Sequence, residues 1–196
     1  MALLTRRTSL IVAAHCDDVE LSVGGTLLAS LPRTAHALIM VGQYDPDRRA
    51  ICEANLEAIG VKATYLSEPD CDLPVNRSNI KAIEQAIDDS GARVIVTHAL
   101  EDTHQDHRAT RLMVETAIRR RPISLIEMDS PSVTPAWQPN CWQPIDPEAK
   151  HRLLAPYLPH VGEDLARWWE CPHATATVRG IPACERFKTI QWWCDR

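Results

Sequence analysis

Hydrophobic and polar positions follow two different periods along the first 130 residues. Five short apolar runs are rich in β-branched residues and end in polar ones, which is typical of buried strands. Between these runs, apolar residues recur at steps of three and four, as they do on one face of a helix. The strands are predicted over residues 9–15, 35–41, 63–66, 93–97 and 124–128. The helices are predicted over residues 18–31, 48–59, 79–89 and 104–120.

This alternation of strands and helices across short connections predicts βαβ units. We therefore expect an α/β fold of three layers, in which a mostly parallel sheet is covered by helices on both faces. Ligands bind such sheets beyond the carboxyl ends of the strands. Polar clusters that follow different strands are therefore expected to meet at that edge.

After residue 131 the periodic pattern weakens, and eight of the 14 prolines lie between Pro131 and Pro172. All six tryptophans also lie in this part of the chain. We expect most of them in the core and one or two stacked on a sugar or acyl group. The elements predicted here are helices over residues 150–157 and 163–170, a strand over 175–179 and a short helix over 183–190.

The composition narrows the classes of function. A length of 196 residues favours one domain over residues 1–196, with residues 1–130 as the α/β core and residues 131–196 as an irregular, substrate-facing part. A net charge of −5 argues against nucleic acid and anionic membrane as partners. No apolar run approaches the roughly 18 residues of a transmembrane helix. A small-molecule substrate is the expected partner, and homo-oligomerisation stays open.

Cysteine usage indicates a reducing compartment. The seven cysteines form an odd set without Cys-x-x-Cys spacing, so neither a disulfide framework nor a zinc knuckle is predicted. Reduced thiols in a cytoplasmic protein are the expected state. The basic pair and short apolar run at the N-terminus imitate a signal peptide, but the run leads directly into a polar cluster without a cleavage site. We interpret this run as the first core strand.

The candidate chemistry begins at the end of that strand, with His15, Cys16, Asp17 and Asp18. Zinc binds neutral imidazole and carboxylate well, and a catalytic zinc keeps three protein ligands and one open position. His15 and Asp18 span a tight turn, so both are expected to reach one ion. Asp17 then points elsewhere, as a candidate general base beside the ion. Cys16 is expected to face the core.

A second polar cluster follows the fourth predicted strand and runs from Asp102 to His107. If a helix begins near Thr103, His104 and His107 share one of its faces. His107 is the better candidate for a third metal ligand, and His104 for contact with the charge that develops on the substrate. Asp106 is a candidate partner for the ring of a ligating histidine.

Structural interpretations compete with these assignments. Asp17 and Asp18 also suit the positive N-terminus of a helix. Thr103 and Asp106 fit a capping box, which would itself fix the start of the helix that presents the histidines. His98 is expected to be structural.

The two clusters can be compared with known motifs. Residues 14–21 read AHCDDVEL, residues 24–27 read GGTL and residues 102–110 read DTHQDHRAT. They resemble the AHPDD(V/E)EL, GGTL and D-x-H-x-D-H-R-A-T motifs of the PIG-L (LmbE-like) de-N-acetylase family, with Cys16 in place of the proline. The resemblance covers residues 8–130. It implies a Rossmann-like fold and a zinc hydrolase that removes N-acyl groups, commonly acetyl from an amino sugar.

Carried over by position, the resemblance implies that His15, Asp18 and His107 bind one Zn²⁺ per chain. Asp17 would be the general base that takes a proton as water attacks the amide carbonyl. A protonated or hydrogen-bonded His104 would stabilise the oxyanion together with the metal.

Three weaker matches concern the substrate and the leaving amine. Arg48 and Arg49 resemble the family's paired arginines, one of which would contact a substrate hydroxyl or phosphate. Lys150 and His160 resemble a late K…H-x-S-Q segment whose histidine serves as general acid, although the Ser-Gln pair is missing here. Either Asp17 or His160 would then protonate the leaving amine, and His160 could equally be an ordinary surface residue. Finally, residues 183–187, ACERF, resemble a late A-E-x-F segment.

Three functions follow from these observations. The leading hypothesis is zinc-dependent removal of an N-acyl group, acetyl in the first instance, from an amino sugar or an amino-sugar-containing metabolite. The alternative is a catalytically silent protein that keeps metal and ligand binding. Phosphoester hydrolysis with two metals is disfavoured, because one His/Asp/His set leaves no obvious carboxylate to bridge a second ion.

Overall fold

The computed structural model describes residues 7–30, 34–160 and 183–191. The strands are β1 Ser9–Ala13, β2 Ala35–Ile39, β3 Val61–Tyr65, β4 Val94–Thr97, β5 Ser124–Met128, β6 Cys141–Pro144 and β7 Cys184–Gln191. The helices are α1 Asp18–Ser30, α2 Pro46–Ala58, α3 Arg77–Ser90, α4 Gln105–Ile118 and α5 Pro147–Leu154, and a 3-10 turn, Ala155–Tyr157, follows α5. None of the helices in these described ranges combines the length and apolarity that crossing a membrane requires.

The strands form one sheet in the order β3-β2-β1-β4-β5-β7-β6. Strands β1 to β5 run parallel, whereas β7 runs antiparallel to both β5 and β6. The predicted α/β fold with a mostly parallel sheet is confirmed. The strand order reverses between β1 and β4, and in such sheets ligands bind beyond the carboxyl ends of the strands at this point.

The two faces of the sheet bury separate cores. Ile11 packs with side chains of α1, α2 and α5 on one face, while Leu10 and Val12 pack with α3 and α4 on the other. All five residues of β1 are buried, since alternate side chains point to opposite, equally covered faces. This double burial explains why β1 and β4 read as continuous apolar runs, whereas the edge strand β3 alternates with exposed Lys62 and Thr64.

The C-terminal part of the chain departs from the prediction in one element. The short helix predicted over residues 183–190 is wrong, because Cys184–Gln191 forms β7. Apolar residues at steps of three imitate a helix here, but the backbone pairs with β5 and β6 on its two sides, and this pairing overrides the local pattern. β6 was not predicted. The helix expected over 150–157 is confirmed, and the elements expected over 163–170 and 175–179 lie outside the described residues.

A double glycine in α1 lets the segment before α5 approach closely. A Cβ atom at Gly25 would lie 2.8 to 2.9 Å from three side-chain atoms of Ile145, one of them its own Cβ. We expect Gly25→Ala to destabilise the fold by about 1–3 kcal/mol through overpacking, although alanine is the better helix former by about 1 kcal/mol. Urea unfolding measures the change.

The double variant Gly25→Ala/Ile145→Ala serves as the control for this prediction. Truncation of Ile145 makes room for the new methyl group, so the double variant should lose less stability than the two single variants added together. A single Gly25→Ala variant as stable as the wild type would contradict the expected clash.

Candidate metal and catalytic site

The turn that joins β1 to α1 brings His15 and Asp18 together. The backbone N–H of His15 donates to Oδ2 of Asp18 at 2.7 Å, and Nδ1 of the same histidine lies 3.4 Å from that oxygen. Asp17 makes a different contact, with its Oδ2 3.4 Å from Nη1 of Arg48. The turn therefore divides the two adjacent carboxylates between two environments.

The segment that follows β4 brings three histidine rings to the same edge of the sheet. The ring of His107 stacks on His98 with centroids 3.8 Å apart, and on His104 at 4.6 Å. Nε2 of His107 lies 3.4 Å from Oδ1 of Asp18. The two predicted clusters, which are far apart in the chain, therefore meet at Asp18.

The meeting point has the donor set of a metal centre. One donor atom from each of His15, Asp18 and His107 lies within 4.8 Å of the other two. Two imidazoles and one carboxylate suit zinc and leave a fourth position for water or substrate. Cys16 stays apart from these donors, because its side chain is buried in the core and its Sγ lies 3.6 Å from the carbonyl oxygen of Gly42. Its predicted orientation toward the core is confirmed.

The charges of the three groups support one another. Burial acts to raise the pKa of Asp18, but the nearby ring of His107 holds it well below the usual value. Burial acts to lower the pKa of His15, yet its contacts with Asp18 raise that pKa to about 9. Burial also acts to lower the pKa of His107, but Asp18 and Asp102 raise it to about 10. Asp18 is therefore the anionic centre of the cluster.

Asp17 is buried beside this centre, with only 7% of its surface exposed. Burial, followed by the charge of Asp18, raises the pKa of Asp17 to about 6, while Arg48 acts in the opposite direction. A carboxylate with a pKa this close to neutral can accept a proton and return it, which is the requirement for general acid–base work.

Asp102 fixes the orientation of His107. Its Oδ2 lies 2.9 Å from Nδ1 of His107 and accepts a hydrogen bond from Oγ of Ser130 at 2.6 Å. Since Nδ1 is engaged in this way, Nε2 is the nitrogen that faces Asp18. Sequence reasoning assigned no role to Asp102, although its place as the first residue of the second motif was the available signal.

Asp106 connects the site to the loop after β3. Its Oδ2 lies 3.2 Å from Nε2 of His15, and its carboxylate also accepts the backbone N–H groups of Cys71 at 2.8 Å and Leu73 at 3.1 Å. Asp70, on the same loop, places its Oδ1 3.2 Å from Nε2 of His15. The contact between Asp106 and a histidine ring was expected, whereas its hold on the loop could not be read from the chain.

His104 caps α4. Its Nδ1 accepts the backbone N–H of Asp106 at 3.2 Å, and the helix begins at Gln105. The capping box predicted at Thr103 is wrong, because Oγ1 of that residue donates to the carbonyl oxygen of Ser132 instead. With Nδ1 as acceptor, the neutral ring carries its proton on Nε2. Burial, followed by the charge of His107, lowers the pKa of His104 and so favours this neutral form.

The structure separates the two adjacent arginines. Arg48 faces the site through Asp17, and its Nη2 donates to the carbonyl oxygen of His160 at 3.2 Å. Arg49 is held elsewhere, with Nη1 donating to Gly42 and its guanidinium 3.5 Å from the centre of the Tyr65 ring. His160 is exposed. Among the described residues, its link to the neighbourhood of Asp17 is this backbone hydrogen bond with Arg48.

His98 is a buried histidine that contacts the cluster through the ring of His107. It is fully buried, and its Nε2 accepts the backbone N–H of Ala14 at 3.0 Å. Burial, followed by the charge of His107, lowers its pKa to about 4, so the ring is neutral. The expectation of a structural histidine agrees with these contacts, since the ring ties the end of β1 to the end of β4.

One family model matches the part of the chain that contains both clusters. The family model for PIG-L, GlcNAc-PI de-N-acetylase, matches residues 10–118. That range contains every residue of the two clusters. No curated protein sequence matches the chain significantly.

Solved structures share the fold over nearly the whole chain. GalB, the 4-carboxy-2-hydroxymuconate hydratase of Pseudomonas putida KT2440, superimposes with a TM-score of 0.80 at 13% identity, covering 97% of this chain and 98% of its own. The N,N'-diacetylchitobiose deacetylase of Pyrococcus horikoshii gives 0.78 at 17% identity, covering 97% and 87%. The A40926 pseudoaglycone deacetylase Dbv21 gives 0.72 at 20% identity, covering 97% and 100%. At these identities the likeness establishes the fold and leaves the reaction to the site.

Proposed function

Because this chain belongs to the PIG-L family, we propose that it is a zinc-dependent hydrolase that removes an N-acyl group from an amino sugar or an amino-sugar-containing metabolite. The acyl group proposed is acetyl. The observation that carries the proposal is the convergence of His15, Asp18 and His107 on one point, with the separate carboxylate of Asp17 beside it. If Asp17 and Asp18 served only to stabilise the N-terminus of α1, neither the second histidine cluster nor a buried base would be needed.

In this proposal His15, Asp18 and His107 hold one zinc ion per chain. When bound, the ion would supply a Lewis acid that polarises the amide carbonyl and lowers the pKa of water to about 7. Asp18 contributes the negative charge, and the contact of His107 with Asp102 keeps its Nε2 turned toward Asp18.

Asp17 is the proposed general base. Its carboxylate takes the proton of the attacking water. Its raised pKa of about 6 lies near neutral pH, where a general base works best. Arg48 holds Oδ2 of Asp17 at 3.4 Å and so restricts where the carboxylate points. Once protonated, Asp17 is the first candidate donor for the leaving amine. His160, which contacts Arg48 through its backbone, is the second candidate.

His104 is the proposed donor to the developing oxyanion. Its Nδ1 is engaged by the backbone of α4, so the proton on Nε2 is directed away from the helix. A neutral imidazole can stabilise an alkoxide by hydrogen bonding alone, and a preorganised donor of this kind is worth about 10²–10³-fold in rate. Of the two forms considered from the sequence, the hydrogen-bonded one is favoured over the protonated one.

Arg48 is the arginine proposed to meet the substrate. It lies beside Asp17 and remains partly exposed, so a substrate hydroxyl or phosphate can approach its guanidinium. Arg49 is occupied by Gly42, Glu53 and Tyr65, and we assign it to the packing of α2.

The proposal also includes a cytoplasmic location and a small-molecule partner. The five cysteines within the described residues are all free thiols, which supports a reducing, cytoplasmic location. The net charge of −5 supports a small-molecule partner over nucleic acid or a membrane. This proposal also allows the protein to form homo-oligomers.

Release of acetate from N-acetylated sugars tests the proposal. Zinc-loaded wild type should hydrolyse at least one member of a panel of N-acetylglucosamine glycosides and related N-acyl amines, and Asp17→Asn should not. Because the fold also carries a hydratase, the panel includes an unsaturated hydroxy acid. Hydration of that acid without any amide hydrolysis, or zinc binding without turnover of any compound, would refute the hydrolase.

Loss of the Asp102 carboxylate should weaken metal binding without removing a ligand. In Asp102→Asn the ring of His107 loses its charged partner, and changes to such partners cost about 10–100-fold in metal affinity. Competition with a chromophoric chelator measures the affinity. Thr103→Ala, in the same loop but with its hydroxyl bonded to Ser132, is the control and should bind metal as the wild type does. Unchanged affinity in Asp102→Asn would contradict the role given to Asp102.

A further inference from the structure

Two charged side chains from the C-terminal part of the chain meet inside the protein. Nζ of Lys150, on α5, lies 2.5 Å from Oε1 of Glu185, on β7, and the two residues are only 5% and 4% exposed. Both lie outside the range that the family model matches. Taking two charges out of water costs several kcal/mol, and apolar residues of similar volume often stabilise a core equally well. Packing alone therefore does not account for the pair.

The pair hydrogen-bonds to the backbone of α1. Lys150 donates from Nζ to the carbonyl oxygen of Leu21 at 2.5 Å. Glu185 accepts the backbone N–H groups of Gly25 and Thr26, each at 2.8 Å. In an uninterrupted helix the N–H of Gly25 would donate to the carbonyl of Leu21. The ion pair thus contacts both the donor and the acceptor of one helical hydrogen-bond position, and side chains that compete for such groups influence the course of a helix.

These contacts lie one helical turn from the proposed base. The N–H of Leu21 donates to the carbonyl oxygen of Asp17 at 2.8 Å, and α1 begins at Asp18. A continuous path of hydrogen bonds therefore runs from Glu185 through Lys150 and Leu21 to Asp17. A shift of the Leu21 carbonyl would be passed to the turn that carries Asp17 and Asp18.

We propose that Lys150 and Glu185 are positioning residues that set the first turn of α1 and thereby hold Asp18 toward His15 and His107. The inference rests on the proposed function, because it gives the pair a purpose in metal binding. The pair acts through the backbone of α1, at Leu21 and at the double glycine, and not by contact with the metal. It also explains why two late sequence matches, at Lys150 and at residues 183–187, belong to one feature.

The test compares two variants of the same interface. Lys150→Met keeps the length of the side chain and removes its charge and hydrogen bonds. Leu153→Ala is the matched control, because this buried side chain of α5 packs against Gly24 of α1 without hydrogen bonding to its backbone. Both variants are expected to lose thermal stability. The measurements are zinc affinity, by competition with a chelator, and the visible spectrum of the cobalt-substituted protein, which reports ligand geometry.

We expect Lys150→Met to bind zinc about tenfold more weakly, at the lower end of the range for residues that support metal ligands, and to shift the cobalt spectrum. Leu153→Ala should keep the affinity and the spectrum of the wild type. Wild-type affinity and spectrum in Lys150→Met, or an equal loss in Leu153→Ala, would overturn the inference. Should Lys150→Met fail to fold, Glu185→Gln gives the same comparison. The titrations use no substrate, so they separate a failure of this inference from a failure of the proposed hydrolysis.

Discussion

Replacing Asp17 with asparagine is expected to lower kcat by about 10²–10⁴-fold, the contribution of a positioned acid–base group, while zinc content stays at the wild-type level. Asparagine has the size of aspartate but accepts no proton from the attacking water. The three donors His15, Asp18 and His107 are untouched by the change, so the ion should remain bound. Steady-state kinetics on the best substrate of the N-acyl panel, with elemental analysis of the same samples, measures both quantities.

Arg48→Met is the control for this variant, because it removes the guanidinium that contacts Asp17 and keeps the base itself. It should raise KM more than it lowers kcat, as expected for a residue proposed to meet the substrate. An Asp17→Asn variant that retains wild-type kcat would refute the assignment of Asp17, whereas one that loses its zinc would make Asp17 a ligand.

Replacing His107 with alanine should have the larger effect on the metal. Removal of one of three proposed ligands leaves two, so zinc content should fall far below one equivalent and activity should be lost with it. His104→Ala, on the same helix and in ring contact with His107, should keep its zinc and lose about 10²–10³-fold in kcat. The two variants therefore separate metal binding from stabilisation of the oxyanion.

Stability has to be followed in the same experiment, since His104 also caps α4. Loss of a cap costs about 1 kcal/mol, which lowers the melting temperature without unfolding the protein at the assay temperature. Full zinc occupancy in His107→Ala, or loss of zinc in His104→Ala, would reverse the roles assigned to the two histidines.

The sequence predicts secondary structure correctly where the local hydrophobic pattern agrees with the tertiary structure. The five parallel strands and their helices were recovered. Burial on both faces makes β1 and β4 nearly continuous apolar runs, whereas the edge strand β3 carries exposed residues. The same periodicity failed at β7, where Cys184, Phe187 and Ile190 imitate a helix and only the pairing with β5 and β6 decides the outcome.

The site was predictable to the extent that it lies within single motifs. Spacing alone brought His15 and Asp18 into one turn and gave Asp17 a separate direction. Contacts between distant segments could not be read in this way. The contacts of Asp106 with the loop after β3 and of Lys150 with the backbone of α1 both join residues that carry no common pattern. The second motif contained Asp102, but only coordinates show that its carboxylate meets His107.

The central claim is that one metal ion binds between His15, Asp18 and His107. Anomalous diffraction from zinc-loaded crystals, recorded on both sides of the zinc absorption edge, tests it most directly. We predict one strong peak within bonding distance of a nitrogen of each histidine and an oxygen of Asp18. A peak located instead among Asp70, Cys71 and Asp106, whose donor atoms also lie within 4.8 Å of one another, or no ordered peak at all, would contradict the account.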